Sequence, residues 1–117
     1  MTMREVLVVD DEHHILVLLT ELLQNEGYRV RQAADGVAAL REIDRLRPDL
    51  VLTDVMMPRL GGLELARQLR ARKISTIVMS AAMGASTDAS LVFLSKPFDL
   101  TTLVQLVAST LASSDGV

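Results

Sequence analysis

Cysteine is missing from all 117 residues, which excludes disulfides and thiolate metal sites. Aromatics are nearly missing too: Tyr28, Phe93 and Phe98 are the only three, so any core must be aliphatic. There is no basic surplus. The formal net charge is -3, which argues against direct nucleic-acid binding because phosphates would find no excess of cations. No apolar run approaches the roughly 20 residues that a membrane span needs. The sequence reaches VLVVDD by residue 6, so no signal peptide is expected. A cytoplasmic domain without membrane contact follows.

What is present is apolar and regularly spaced. Half of the residues are hydrophobic, enough for one folded domain over 1–117, with its core at about 4–112 and a frayed tail at 113–117. Short apolar runs alternate with segments of helical period. Val6 to Val9, Tyr28 to Ala33, Leu50 to Thr53, Ile77 to Ser80 and Leu91 to Leu94 read as strands. Between them Ile15, Leu18, Leu19, Leu22 and Leu23 form a helix stripe that Gly27 stops. Asp35 caps a helix with Val37, Leu40, Ile43 and Leu46 inward, and Pro48 ends it. Gly61 and Gly62 precede a third helix, and Asp99 caps the last, with Leu100, Leu103, Val104, Leu106, Val107 and Leu111 inward. Strands apolar on both faces, alternating with helices, predict a doubly wound parallel sheet covered on both sides.

In such folds chemistry sits at the carboxyl ends of the strands. There the sequence places Asp10 and Asp11, Asp54, Ser80, and Lys96 with Pro97. Adjacent carboxylates repel, and burial opposes their ionisation. A divalent cation among them inverts that balance. Oxygen donors without sulfur or a paired histidine favour Mg²⁺ over zinc. Mg²⁺ commonly shares its shell with phosphate, and one carboxylate can then attack a phosphoryl group to form an acyl phosphate. A plainer role for Asp10 or Asp11, capping the first helix, is compatible with metal binding. His13 and His14 are adjacent on a helix and do not converge on one ion, so solvated first-turn positions are expected.

The stretches VLVVDDE, DLVLTDVMMPRLGGLEL, IVMSA and FLSKPFD, in this order and spacing, resemble the receiver domain of two-component response regulators over about residues 4–112. The resemblance implies a flavodoxin-like α/β fold with strand order 2-1-3-4-5. It implies Asp54 as phosphoacceptor, and Mg²⁺ held by Asp10, Asp11, Asp54 and the backbone carbonyl of Met56. It makes Ser80 the switch hydroxyl, Lys96 the partner of the phosphoryl group, Phe93 the switch aromatic and Pro97 a cis-peptide candidate. A histidine kinase or histidine phosphotransfer protein is the implied donor, and an output domain or downstream protein the possible receiver of the signal. The chain would then be a signalling domain that assists its own phosphorylation and dephosphorylation, not a metabolic enzyme.

Two departures from the family stand out. Gly61 replaces a commonly acidic residue, which adds flexibility after the third strand. Ser80 and Lys96 are short of the family's separation by on the order of six residues, between one and two helical turns. The stretch AAMGASTDAS, residues 81–90, has no apolar stripe and favours loop. The fourth helix is therefore expected to be missing or reduced to about one turn, and the output face built on it must differ. That shortening motivates an alternative function, a phosphorylation-independent receiver-like interaction module. A haloacid-dehalogenase type of phosphohydrolase would require Asp-x-Asp, whereas Val55 and Met56 follow Asp54.

Overall fold

A strand that is apolar on both faces needs a cover on each. The computed structural model, which describes residues 3–80 and 91–115, provides it. Strands β1 (Glu5–Val9), β2 (Arg29–Ala33), β3 (Leu50–Asp54), β4 (Ser75–Ser80) and β5 (Val92–Ser95) form one parallel sheet in the order β2-β1-β3-β4-β5. Among the described residues the helices are α1 (His13–Asn25), α2 (Gly36–Arg45), α3 (Gly62–Ala71) and α4 (Leu100–Asp115). The flavodoxin-like order is as the sequence predicts. The shortened helix expected between β4 and β5 falls on residues 81–90, outside the described residues. Helix α4 runs through Asp115, into the stretch expected to fray. No helix among the described residues is long and apolar enough to cross a membrane.

The sheet separates two aliphatic layers. On one face Val6, Val8, Leu50, Leu52, Ile77 and Met79 pack with Leu19 and Leu23 of α1 and with Leu103 and Val107 of α4. On the other, Leu7, Val9 and Val51 meet Ala39 and Ile43 of α2 and Leu65 and Leu69 of α3. Register aligns the strand ends: Val9 pairs with Thr53, Thr53 with Val78, and Val78 with Phe93. Residues just past this row therefore gather on one edge.

Helix ends follow local chemistry. Gly27, at φ 95°, closes α1 in the left-handed conformation that glycine adopts without a Cβ penalty. Asp35 caps α2, its Oδ1 accepting from the Ala38 amide at 2.8 Å. Asp99 does the same for α4 with the Thr102 amide at 2.7 Å, and that bond holds its carboxyl below the usual carboxylate range. Arg31 ties the far end of α2 to the sheet. Its guanidinium donates to Glu5 Oε1 at 2.7 Å and to the carbonyls of Glu42 and Leu46 at 2.9 and 2.5 Å.

The inward stripe of α1 differs from the expected one. Leu16, Leu19 and Leu23 are buried and Ile15 and Leu22 partly so, while Leu18 is 46% exposed. Every residue from Ile15 to Leu19 is apolar, so several helical phases were compatible with the pattern, and packing on β1 and β2 selects this one. Leu46 and Leu100, also expected inward, lie at a helix end and a helix start and are exposed. Truncation separates these classes. Leu23→Ala should lower the free energy of unfolding in urea by about 3 kcal/mol. Leu18→Ala should change it by no more than about 0.5 kcal/mol.

Candidate functional site

Strand β1 ends inside the core, so the next residue, Asp10, is delivered buried, with 1% of its surface exposed. Its amide donates to the Ala33 carbonyl at 3.1 Å, which fixes its backbone against β2. Its Oδ1 accepts from the Glu12 amide at 2.9 Å. Its Oδ2 is buried without any hydrogen-bond partner. Asp11 is exposed beside it, and Asp54, the last residue of β3, is buried. Asp10, Asp11 and Asp54 each present a carboxylate oxygen, and these oxygens lie within 4.8 Å of one another.

Lys96 reaches this cluster from one residue past β5, its Nζ 2.6 Å from Asp54 Oδ1. The Lys96 amide donates to the Ser80 carbonyl at 2.7 Å, so the lysine is anchored to the end of β4. The Lys96–Pro97 peptide is cis. Ser80 is buried. Phe93 is half-buried on β5, opposite Val78, and Ser95 is opposite Ser80. Alternation along the strands places Phe93 and Ser80 on the same face of the sheet. Met56 lies two residues after Asp54 and is 77% exposed. His13 and His14 are exposed at the start of α1, and neither belongs to the group of converging acids; His14 Nε2 lies 3.3 Å from Glu12 Oε2 instead.

Desolvation raises the Asp10 carboxyl above its ordinary range, and the charges of Asp54 and Asp11 add to the effect. The Glu12 amide and the Lys96 ammonium act against it without cancelling it. The three acids and one ammonium leave this edge short of positive charge. An unpartnered buried carboxylate oxygen costs free energy unless something binds it. All the donors are hard oxygens, a set suited to a Mg²⁺-sized cation that keeps several waters. The residues present therefore fit such an ion.

Three contributors were not singled out in the sequence. Thr53 is fully buried and donates its hydroxyl to the Asp54 carbonyl at 3.0 Å. Arg59 of the β3–α3 loop reaches the Asp35 carboxylate at 3.3 Å, bracing the loop against α2. Gly62 is the glycine that the site requires, since a Cβ there would overlap the Asp54 carbonyl. A Cβ at Gly61 would meet only the Val55 oxygen at 3.5 Å, an ordinary contact. The Gly61-Gly62 doublet was the visible signal, but only the backbone path shows which member is constrained.

The sequence matches the family model of the response regulator receiver domain over residues 6–108. It is 38% identical to the DNA-binding response regulator MtrA of Mycobacterium tuberculosis, over 97% of this chain and 54% of that protein. The chain thus spans about half the length of that relative. Sporulation initiation phosphotransferase F of Bacillus subtilis is 35% identical, over 82% of this chain and 84% of that one. Among solved structures, the response regulator protein TrrA of Thermotoga maritima in complex with Mg²⁺–BeF superposes with a TM-score of 0.84 at 35% identity. That alignment covers 92% of this chain and 99% of TrrA.

The raised Asp10 carboxyl makes a prediction about the metal-free protein. A carboxyl whose folded pKa exceeds its unfolded one favours folding at low pH, and that contribution is lost as pH rises through the folded value. Asp10→Asn keeps the Oδ1 acceptor and removes the charge. In EDTA it should raise the free energy of unfolding by about 1 kcal/mol at neutral pH. The gain should vanish below the ordinary carboxylate range, as measured by urea denaturation across pH.

Proposed function

Because the chain belongs to the response regulator receiver domain family, we propose that it accepts a phosphoryl group on Asp54 and carries a two-component signal. The observation that carries this reading is the 2.6 Å contact between Lys96 Nζ and Asp54 Oδ1, set beside the orphaned Oδ2 of Asp10. In the proposed reaction an Asp54 carboxylate oxygen attacks the phosphorus of a donor phosphohistidine. The P–N bond breaks, the imidazole leaves and takes up a proton, and Asp54 becomes an acyl phosphate. Lys96 offsets charge on the phosphoryl oxygens, being already held at Asp54. Asp10, Asp11, Asp54 and the Met56 carbonyl are the groups we assign to Mg²⁺, which when bound neutralises phosphoryl charge and orients the donor.

Ser80 and Phe93 are assigned to the switch. Ser80 sits at the end of β4 with its carbonyl bonded to Lys96, and Phe93 shares its sheet face. A hydroxyl drawn to a new phosphoryl oxygen vacates space that an aromatic on the same face can fill. The domain is assigned to 1–117, acting in the cytoplasm as a signalling module rather than a metabolic enzyme. Its donor is a histidine kinase or histidine phosphotransfer protein. Next to Lys96 an apolar cavity of about 520 Å³, lined by Ile15, Leu18, Pro97, Phe98 and Leu100, gives that donor a surface to dock on. An output domain or downstream protein receives the signal, and no direct nucleic-acid contact is assigned to this chain.

Intact mass after incubation with Mg²⁺ and acetyl phosphate or phosphoramidate tests the reading. The wild-type chain should gain one phosphoryl group, and Asp54→Ala, or wild type in EDTA, none. Lys96→Ala should slow the gain by about a hundredfold or more. Equal uptake by Asp54→Ala would remove Asp54 from its role. Mg²⁺ binding without uptake from small donors or from a phosphorylated histidine protein would leave the phosphorylation-independent module as the better account.

A further inference from the structure

Seven of the twelve basic residues crowd into two short stretches, Arg41, Arg45 and Arg47, then Arg67, Arg70, Arg72 and Lys73. Both stretches lie toward the C-terminal ends of α2 and α3, at the edge of the sheet opposite Asp54. Most of these cations are already engaged. Arg45 pairs with Glu42 at 2.9 Å, Arg67 with Glu64 at 4.0 Å and Arg72 with Asp44 at 2.8 Å. Arg47 donates to the Lys73 carbonyl at 2.9 Å. Arg70 and Lys73 have no acidic partner among the described residues, and both line one cavity of about 320 Å³. Its remaining walls are apolar at Ala66, Ile74, Leu91 and Val92 and hydroxylic at Ser75, Thr76, Thr110 and Ser113.

Lys73 occupies this place against local preference. Its φ is 60°, left-handed backbone that disfavours any residue with a Cβ. The turn around it repeats the one that ends α1. Lys73 N bonds Arg70 O at 2.9 Å and Ile74 N bonds Leu69 O at 2.9 Å. At the end of α1, Gly27 N bonds Gln24 O at 3.0 Å and Tyr28 N bonds Leu23 O at 3.1 Å. The chain thus puts glycine at one such turn and lysine at the other, where the lysine projects a charge at the cavity.

We propose that this cavity binds a small phosphate monoester. The two cations match a phosphate dianion, and the planar guanidinium of Arg70 offers paired donors to its oxygens. The Ser113 hydroxyl supplies a further donor, and the ester group packs on Ala66, Ile74 and Val92. The cavity is walled from α3, β4, β5 and α4, and its volume of about 320 Å³ suits a compact ligand. The site is independent of the chemistry at Asp54.

The test titrates the whole chain with phenyl phosphate in EDTA, followed by amide NMR, with benzoate as the monoanionic control. Saturable shifts should appear at Ile74, Ser75, Val92 and Ser113 and not at Asp54 or Ser80. Lys73→Gly suits the turn, so it should keep or raise the melting temperature. It should nevertheless weaken phenyl phosphate about tenfold, as should Arg70→Gln. Benzoate should bind more weakly than phenyl phosphate. No saturable shift at the cavity, unchanged affinity in Lys73→Gly, equal binding of benzoate, or shifts centred on Lys96 would each overturn the proposal.

Discussion

The carboxyl edge of the sheet depends on one ion pair, Lys96 Nζ to Asp54 Oδ1 at 2.6 Å. Without it, three carboxylates with oxygens within 4.8 Å would share the edge with no opposing charge among the described residues. The pair also joins two strands that do not touch. Asp54 ends β3 and Lys96 follows β5, with β4 between them. Because the Lys96 amide is bonded to the Ser80 carbonyl, any change at Asp54 is mechanically linked to both strands on that side of the sheet. In the proposed reaction this is the route by which a covalent event at one carboxylate becomes a change of shape.

The rest of the fold can be understood as what makes such an edge tolerable. Parallel strands in matched register deliver Asp10 and Asp54 to adjacent positions, since β1 and β3 are neighbours. Two aliphatic layers supply the stability that the acidic cluster subtracts. Gly62 lets α3 start directly over the Asp54 carbonyl, and the Arg59–Asp35 contact braces the intervening loop. Asp10 retains a raised carboxyl and an orphaned oxygen in spite of this support. In the proposed function, that residual cost is what an incoming cation would relieve.

Much of this was legible in the sequence because strand ends are easy to find. Asp10, Asp54, Ser80 and Lys96 each follow an apolar run, and the doubly wound rule sends them to one edge. The phase of α1 was not legible, because an unbroken apolar run from Ile15 to Leu19 fits several faces. Arg31, half-buried against the end of α2, looked like an ordinary charged strand residue. Its value comes from Glu5, Glu42 and Leu46, which are distant in sequence. Gly62 depended on a backbone path that no composition signal encodes. Lys73 gave no warning either, since a left-handed lysine is recognisable only from its φ.

The central claim is that the carboxylates around Lys96 form one cation and phosphoryl site. A Mg²⁺ titration of the whole chain, followed by the amide signals of residues 9–12 and 53–57, tests it most directly. The account predicts saturable shifts confined to those two segments and to Lys96, greatly weakened in Asp10→Asn. Shifts that do not saturate, that centre on other acidic side chains, or that persist unchanged in Asp10→Asn would contradict it.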